Sequence, residues 1–456
     1  MLRTGAEYLD SLRDGRRVYL GAERVADVAS HPAFREAANT VAAMFDARFD
    51  RQARAEMVVD EGEGSPYSTW FLAPRTAADL EKRLRCHQRI AAMTHGLFGR
   101  SPDHVASLIT GLAMETSGAL HDYWRSARDR DAYVAYAVLP DRTSLQLRVV
   151  REDADGVVLS GVKALATAAV LADEVWIGNL QPIGADQELE SITCVVPCNA
   201  PGLQIGARQS FAGGTEADHP LASRFDEGDA VLVFDEVRVD WNRVFVHRDP
   251  LRSSQIYIQT PAHAMANHQS SVRSAAKVRF MAGLAYCLAQ ASGAGEIPIV
   301  RDLLGRLAAL EATISALVDA QVYRAESWPG GGLAPNRRSV YAALNWCQEF
   351  FPVLTEALRE LSGSAMYRFP DRPAILREEA VSAMVERHWK PGGPGEHLAL
   401  TRMVGDLLAS DFGGRQQQYE HFYAGPPFVV RGHSHREAPW IELTAEIDGM
   451  ISRIRG

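Results

Sequence analysis

Arg100 is the residue whose type and setting first suggest chemistry. It directly precedes Ser101-Pro102-Asp103, in which Ser is a good N-cap, Pro suits the first helical position and Asp complements the helix dipole. These residues predict a helix start, with Arg100 closing the preceding helix. A guanidinium at such a rigid corner can be aimed into a pocket, where fixed positive charge stabilises an oxygen anion. The alternative is an Arg on the surface or in an ion pair.

Metal and disulfide chemistry find little support in the sequence. The five cysteines are an odd and sparse set, which does not make a disulfide framework. Cys194 and Cys198 form a close pair around the apolar stretch 195–197, but no His or Cys at zinc-site spacing accompanies them. The 14 histidines show no HExxH pattern. We therefore expect no metal site.

The sequence has three zones that differ in the spacing of their hydrophobic residues, and the elements of these zones must position the candidate residues. The pattern is helical at first, as in residues 78–98, then strand-like, then helical again, with an apolar stripe over residues 300–317. This predicts a mainly α protein with an N-terminal helical domain (1–132), a middle β domain (133–268) and a C-terminal helical bundle (269–456). The order resembles the acyl-CoA dehydrogenase-like fold, in which a flavin lies between the β domain and the last bundle.

The middle zone contains the clearest local prediction. Leu145, Leu147 and Val149 alternate with polar residues, which is typical of a half-buried strand. Asp153 to Gly156 supply turn residues, and the apolar run 157–159 follows, so we expect a hairpin. Further strand-like runs lie at residues 174–177, 192–196, 230–234 and 237–239.

Composition excludes several classes of protein. The formal charge of −9 argues against a nucleic-acid binder, which needs a clustered basic surface. No run approaches 18 uninterrupted apolar residues, so we expect no membrane span. No basic n-region followed by an apolar stretch indicates a secretory signal, and we expect a cytoplasmic protein.

Four segments, in order over nearly the whole chain, carry a resemblance to a known family. They are Arg3 to Leu9 with residues 18–20 and 31–34; Gly99 to Asp103; Asp218 to Glu227 running into residues 234–237; and Phe412 to Gln416 with Tyr419 and Glu420. Together they resemble the large-subunit family of 4-hydroxyphenylacetate 3-monooxygenase and the chlorophenol monooxygenases. The resemblance is specific for the family and much less so for the substrate. It implies that Asp218 to Glu227 are an ordered loop and interface, hence structural.

The resemblance also implies site residues. Arg100 would point at the flavin and at the substrate oxygen, where it would stabilise a phenolate or a departing hydroxide. The Thr167 hydroxyl would reach a flavin ring atom, although Thr at a strand end is also simply a good strand former. Gly413 and Gly414 interrupt a helical stretch and would allow positive φ and close approach of the backbone to FAD. The implied FAD contacts are Tyr136, Ala137, Val138, Asp141, Arg142, Thr167, Phe412, Gly413, Gly414 and Arg415.

Two positions depart from the family pattern. This chain has His104 where the family usually has Tyr, and Tyr136 where the family usually has His. Both residue types can donate or accept a hydrogen bond. If the two side chains face each other, His104 would serve as base or hydrogen-bond partner for the substrate hydroxyl, with Tyr136 near the flavin. The alternative is that the pocket was rebuilt for another substrate and that neither residue transfers a proton.

The family resemblance implies a reaction that needs a second protein. Side chains cannot activate O₂, so a cofactor must do so. The sequence has no GxGxxG between a strand and a helix, so reduced FAD would come from a separate NAD(P)H:flavin reductase. A flavin C4a-hydroperoxide would then hydroxylate a small aromatic substrate, ortho to its phenolic hydroxyl. A dimer or tetramer is expected, as in the family.

Three rival functions stay open. The first is a dehydratase of the 4-hydroxybutyryl-CoA type, which needs three cysteines and a histidine around one iron–sulfur cluster. The second is a monooxygenase that acts on nitrogen or on a non-phenolic carbon, which the exchange of His104 and Tyr136 favours. The third is a flavin-binding protein without catalysis, against which Arg100 and the Gly413-Gly414 segment argue.

Overall fold

The computed structural model describes residues 2–60, 65–114, 117–140, 143–367, 373–389 and 394–455. The first part is mostly helical, and capping boxes at Thr4 and Thr76 satisfy the first backbone N–H groups of two of its helices. Its helices are α1 Gly5–Ser11, α2 Arg35–Asp46, α3 Arg51–Met57, α4 Ala77–Met93, α5 Pro102–Ala113 and α6 Ala119–Asp129, and its strands are β1 Val18–Leu20, β2 Glu23–Val25, β3 Val58–Val59 and β4 Tyr67–Ser68.

The connection between α4 and α5 differs from the prediction. The predicted start of α5 is confirmed, with Ser101 at the N-cap and Pro102 in the first turn. The prediction that Arg100 closes the preceding helix is wrong, because α4 ends at Met93. His95 and Gly96 adopt left-handed backbone, with φ of 51° and 70°, which stops the helix before the predicted residue 98.

The middle region forms two sheets. Its elements are β5 Val134–Ala137, β6 Arg148–Glu152, β7 Gly156–Lys163, β8 Glu174–Ile177, β9 Ile192–Pro197, β10 Leu203–Ala207, α7 Ala222–Phe225, β11 Ala230–Asp240 and β12 Val244–His247. One sheet has the order β2-β1-β10-β11-β7-β6 and the other β12-β9-β8-β5. Two strands of the N-terminal part therefore complete the larger sheet. One hydrophobic core joins both sheets to α1, α2, α5 and α6.

The predicted hairpin is confirmed as the antiparallel pair β6 and β7. Its first strand begins only at Arg148, and Leu145 is 84% exposed, so the prediction of a half-buried Leu145 is wrong. The two predicted runs near residue 235 form the single strand β11, which a register shift between Phe234 and Val237 interrupts. A bulge of this kind explains why the alternation breaks in the sequence.

The C-terminal part is a helical bundle with its own core. Residues 298–323 form one helix, and the predicted apolar stripe faces the bundle through Leu307 and Ile314. The elements are α8 Pro250–Gln259, α9 Ala262–Ala291, α10 Pro298–Tyr323, β13 Glu326–Trp328, β14 Gly332–Ala334, α11 Arg337–Ser362, α12 Glu379–His388, α13 Gly395–Leu408, α14 Asp411–Phe422, α15 Pro427–Arg436 and α16 Trp440–Arg455. Within the described ranges, no helix combines the length and the apolar character needed to cross a membrane.

Candidate active site

Arg100 lies in the turn that leads into α5, and its backbone is held on both sides. Its N–H donates to Oε2 of Glu227 at 2.6 Å, and its carbonyl accepts from the Tyr133 hydroxyl at 2.5 Å. The residue is only 6% exposed. Because two long-range hydrogen bonds fix its backbone, the Arg100 guanidinium projects from a rigid corner into the protein.

The Arg100 guanidinium joins His104 and Tyr136. Nη1 lies 3.1 Å from Nε2 of His104, and Nη2 donates to the Tyr136 hydroxyl at 2.6 Å. The rings of His104 and Tyr136 stack with their centroids 5.6 Å apart and their planes 17° apart. The structure therefore brings together the three residues predicted to be catalytic, and the two exchanged side chains face each other.

The surroundings of His104 disfavour its protonated form. Its burial, and after that the positive charge of Arg100, lowers the pKa of His104 well below its usual value. Its second ring nitrogen, Nδ1, is buried and has no hydrogen-bond partner among the described residues. A buried polar atom without a partner is costly, so Nδ1 is an atom that a ligand could satisfy.

Tyr419 of α14 and Tyr423, which directly follows α14, form an aromatic wall beside Arg100, and no role was predicted for them. Their rings stack 5.4 Å apart at 11°, and the Arg100 guanidinium lies over both at 5.3 and 5.8 Å from the centroids. Both hydroxyls are buried without a partner among the described residues. Their i,i+4 spacing, which puts both rings on one helix face, is the signal that could have found them.

Gly99 makes room for this wall. A Cβ at this position would lie 2.3 Å from the Tyr419 hydroxyl oxygen and 2.9 Å from Oε1 of Glu227. We expect Gly99→Ala to lower the free energy of unfolding, measured by urea titration, by about 1–3 kcal/mol because the stiff Tyr ring must move. Gly305→Ala is the control, since it meets nothing within 4 Å in mid-helix and should stabilise by about 0.5–1 kcal/mol. Equal stability of the two variants would contradict this account.

Ion pairs tie α14 to the β domain beside Arg100. Arg415 donates to Oε1 of Glu227 at 2.7 Å and to Oδ1 of Asp229 at 2.8 Å. Although burial opposes its ionisation, the charge of Arg415 lowers the pKa of Asp229 well below its usual value. Thr167 donates its hydroxyl proton to Asp229 at 2.7 Å. Thr167 and Arg415, both predicted to bind FAD, thus meet at a carboxylate that the sequence did not single out.

The prediction that Gly413 and Gly414 interrupt a helix with positive φ is wrong. Both lie in the first turn of α14, neither has a positive φ, and Ser410 caps the helix through the N–H of Gly413. Gly413 is small for another reason, since a Cβ there would lie 2.5 Å from the backbone of α13 at Asp406. Phe412 is 1% exposed in the bundle core.

Gly414 has a different setting. It borders a cleft of about 340 Å³ between α11 and α14, which is lined by Gln348, Phe351, Pro352, Thr355, Gly414, Gln417, Gln418 and His421. The cleft carries amide side chains and an exposed glycine backbone, so this part of the predicted FAD segment has space for a ligand or a partner.

The remaining predicted FAD contacts lie at the end of β5. Ala137 and Val138 are buried, and their carbonyls accept from the N–H groups of Gly178 and Leu180 at 3.3 Å. Ala137 thus lies in the paired strand β5, and Val138 directly follows it. Asp141 and Arg142 lie outside the described residues.

The donor set fits an aromatic ligand that carries oxygen atoms, such as a flavin or a phenol. Nδ1 of His104 and the hydroxyls of Tyr419 and Tyr423 have no partner among the described residues. They belong to the residues that contact the Arg100 guanidinium, and the two Tyr rings stack on each other. In the described part of the chain, no group of three or more His, Cys, Asp or Glu side chains could hold a metal ion. The five cysteines are free, and four of them are buried, so the described residues do not assemble the donors of an iron–sulfur cluster.

The arrangement of helices around a central β region defines the class of the protein as the acyl-CoA dehydrogenase-like fold. The chain resembles an acyl-CoA dehydrogenase from Geobacillus kaustophilus with a TM-score of 0.56 at 14% identity, covering 95% of this chain and 93% of that one. It resembles an archaeal 4-hydroxybutyryl-CoA dehydratase with a TM-score of 0.87 at 18% identity, over 100% and 95% of the two chains. At these identities both likenesses concern the fold alone.

The particular family follows from closer matches. Residues 4–246 match the family model "4-hydroxyphenylacetate 3-hydroxylase N terminal", and residues 253–452 match "4-hydroxyphenylacetate 3-hydroxylase C terminal". The chain therefore belongs to the 4-hydroxyphenylacetate 3-hydroxylase family, as the four segments predicted.

Named relatives extend over nearly the whole chain. The pyoverdin chromophore biosynthetic protein PvcC of Pseudomonas aeruginosa is 32% identical over 99% of this chain and 95% of its own length. A 4-hydroxyphenylacetate 3-monooxygenase oxygenase component from Geobacillus sp. is 28% identical over 93% and 91%. The crystal structure of such an oxygenase component, complexed with FAD and 4-hydroxyphenylacetate, superposes with a TM-score of 0.93 at 27% identity over 99% and 98%.

Proposed function

We propose that the chain is the oxygenase component of a two-component, FADH₂-dependent monooxygenase that hydroxylates a phenolic substrate. The observation that carries this proposal is the buried Arg100 guanidinium, bonded to Tyr136 and facing His104 in a site with unpartnered hydrogen-bonding groups. In the overall reaction one atom of O₂ enters the product, the other leaves as water, and FADH₂ becomes FAD. The FADH₂ is delivered by a separate reductase.

Each residue of the site has a role in this reaction. Bound reduced FAD supplies the activation of O₂ that side chains cannot. A negative charge on the phenolic oxygen raises electron density at the ring carbon ortho to it, and Arg100 stabilises that charge. His104 and Tyr136 orient that oxygen, and the burial of the site excludes water. We therefore expect hydroxylation ortho to the phenolic hydroxyl.

FAD is proposed to lie between the β domain and α14. Thr167 would accept a hydrogen bond from the flavin, because its own proton is donated to Asp229. The Nε, Nη1 and Nη2 atoms of Arg415 donate to the carboxylates of Asp229 and Glu227, so we assign Arg415 mainly to holding α14 against the β domain. Ala137, Val138, Asp141, Arg142, Phe412, Gly413 and Gly414 remain FAD contacts by the family resemblance only.

The test of the function is single-turnover oxidation of the FADH₂-loaded chain. The chain is mixed with 4-hydroxyphenylacetate and isotopically heavy O₂, and the products are analysed by mass and by ring position. We expect one heavy oxygen atom in an ortho-hydroxylated product. Oxidation of FADH₂ without oxygen transfer to any phenol tested would overturn the proposal.

A second candidate is oxygenation at nitrogen or at a non-phenolic carbon in a biosynthetic pathway. The exchange of His104 and Tyr136 favours it, since the two rings stack on each other beside the Arg100 guanidinium. The same experiment decides between the two when the substrate carries both a phenol and an amine, because the position of the added oxygen then differs.

We further propose a homo-oligomer that assembles through α16. No residue of this helix is buried, and its large apolar side chains are exposed, which is typical of an interface. These side chains are Trp440, Ile441, Leu443, Ile447, Met450, Ile451 and Ile454. We also propose a cytoplasmic location, which the five free cysteines support.

Light scattering tests the oligomer. We expect the full chain to be a dimer or tetramer, and the double variant Ile441→Lys with Ile454→Lys to shift to a smaller species because two charges would enter the apolar contact. Leu251→Lys with Ile299→Lys, at similarly exposed apolar positions, is the matched control and should keep the wild-type mass. A monomeric wild-type chain would contradict the proposal.

A further inference from the structure

Ser101 stands at the N-cap of α5 but does not cap the helix with its side chain. A Ser hydroxyl at this position usually accepts from a backbone N–H of the first turn, and within the described residues no such bond forms. Its hydroxyl instead donates to Oδ1 of Asp103 at 2.5 Å. Nε2 of Gln269, on α9, donates to the same Oδ1 at 3.2 Å and to the Ser101 hydroxyl at 3.3 Å. The side chains of this turn are therefore organised around Asp103.

His87 of α4 holds the second oxygen of Asp103. Nδ1 of His87 lies 2.7 Å from Oδ2 of Asp103, and both side chains are fully buried. Burial lowers the pKa of His87 although the charge of Asp103 opposes this, so the neutral ring is favoured. A neutral imidazole bonds to a carboxylate through the nitrogen that carries its proton. His87 is therefore an Nδ1–H donor to Asp103.

In the described part of the chain, the carboxylate of Asp103 accepts from neutral groups. Arg83, one helical turn before His87 on α4, donates through its Nη atoms to backbone carbonyls and to the Ser107 hydroxyl. A buried carboxylate without a charged donor depends on each of its hydrogen bonds, because the loss of one leaves part of a charged group without a partner. Loss of the His87 bond is therefore expected to shift the turn.

The ring of His87 is itself fixed from behind. His268 of α9 packs against it, with the ring centroids 5.9 Å apart and the planes at 72°. Nδ1 of His268 lies 2.7 Å from Oε1 of Gln321 on α10, and all three side chains are buried. The direction of the His87 N–H is thus set by contacts that extend through α9 to α10.

The turn that Asp103 organises carries two residues of the candidate site. Arg100 directly precedes Ser101, and His104 directly follows Asp103. The side chains of Arg100 and His104 contact each other, with Nη1 of Arg100 3.1 Å from Nε2 of His104. A misplacement of about 1 Å in groups around the reacting atoms can lower a rate about 100-fold. The buried hydrogen bonds of Asp103 thus bear on the position of both side chains.

We infer that His87 and Asp103 are positioning residues of the proposed hydroxylation, which hold the turn before α5 and thereby the side chains of Arg100 and His104. This inference rests on the proposed function and adds two residues that act through others. A shifted turn is expected to uncouple the reaction. In the uncoupled reaction O₂ takes two electrons and two protons from FADH₂ and leaves as H₂O₂, while the phenol is unchanged.

The coupling ratio, which is the amount of hydroxylated product per FADH₂ oxidised, tests this inference. It is measured in single turnovers with 4-hydroxyphenylacetate, with folded chain from size exclusion in excess over FADH₂, so that a lower yield of folded protein does not change it. His87→Leu removes the N–H donor, and we expect the ratio to fall about tenfold. His87→Asn, whose amide N–H can replace the Nδ1–H, should stay within about threefold of wild type.

His263→Leu is the matched control for the coupling ratio. It removes a His that bonds to the Tyr341 hydroxyl in the helical bundle, and it should keep the wild-type ratio. A wild-type ratio in His87→Leu, or an equal fall in His87→Asn, would overturn the inference. If His87→Leu does not fold, Gln269→Leu, which removes a donor to Asp103 and Ser101, should lower the ratio about threefold, and an unchanged ratio would overturn the inference.

¹⁵N NMR of the imidazole rings tests the pair without flavin or substrate. The shifts of the two ring nitrogens show which of them carries a proton, and the signals of His87 are those that disappear in His87→Asn. We expect Nδ1 of His87 to be protonated and Nε2 to be unprotonated at neutral pH. An unprotonated Nδ1 would make Asp103 the donor and overturn the inference. A wild-type chain with this tautomer but without hydroxylated product would overturn only the proposed function.

Discussion

Replacing Arg100 by Met is expected to lower the rate of substrate hydroxylation by about 10²–10³-fold. The change removes the guanidinium that bonds both to Tyr136 and to His104, together with the charge that we propose stabilises the phenolic oxygen. Met has a similar length and no charge, so the fold of the corner is kept by Glu227 and Tyr133, which hold the backbone. The measurement is the rate of hydroxylated product from 4-hydroxyphenylacetate, with FADH₂ supplied by a free reductase.

Arg100→Lys separates charge from geometry. It keeps the positive charge but cannot make two forked hydrogen bonds, so we expect a rate between those of wild type and Arg100→Met. Arg306→Met, at an exposed position of α10, is the control and should retain the wild-type rate. If Arg100→Met formed product within about threefold of wild type, Arg100 would have no role in the reaction.

Local signals in the sequence account for the parts of the site that were predicted. Ser101 and Pro102 mark the start of α5, and that start fixes where Arg100 stands and puts His104 one turn into the helix. Tyr136 follows from the resemblance alone, and it lies in β5. These predictions needed only short-range patterns or a matched motif.

Long-range pairing accounts for what the sequence did not predict. Glu227 belongs to a segment interpreted as structural, yet it accepts from the backbone N–H of Arg100, 127 positions earlier in the chain. Asp229, which directly precedes β11, joins Thr167 to Arg415 of α14. Such contacts depend on how the bundle docks on the β domain, which hydrophobic period does not encode.

The glycines of α14 show a different limit of sequence reasoning. Two adjacent glycines suggested a flexible approach to a ligand, but Gly413 serves the close packing of α14 on α13. Close helix packing and positive φ both favour glycine, and the sequence alone cannot separate them. At position 413, glycine is required because the α13 backbone at Asp406 lies so close, and not because of a positive φ.

Behind the site, Glu420 holds two buried cations, and we expect its replacement by Gln to have the largest effect on stability. Glu420 accepts from Arg273 at 2.6 and 3.0 Å and from Lys277, and all three side chains are at most 2% exposed. Glu420→Gln keeps the shape but leaves two charges without a counter-ion. The expected loss in the free energy of unfolding is about 3–5 kcal/mol at neutral pH, measured by urea titration.

The pH dependence identifies the charge of Glu420 as the cause. Although burial opposes its ionisation, Arg273 and Lys277 lower the pKa of Glu420 from 4.5 to about 2. Because this pKa is depressed in the folded state, the stability from Glu420 is present above about pH 4.5 and is lost as the pH falls towards 2. The difference between wild type and Glu420→Gln should narrow over that range. Glu356→Gln, which breaks an exposed pair with Arg359, should cost at most about 1 kcal/mol, and an equal loss in both variants would show that the buried charges are not what binds α14 to α9.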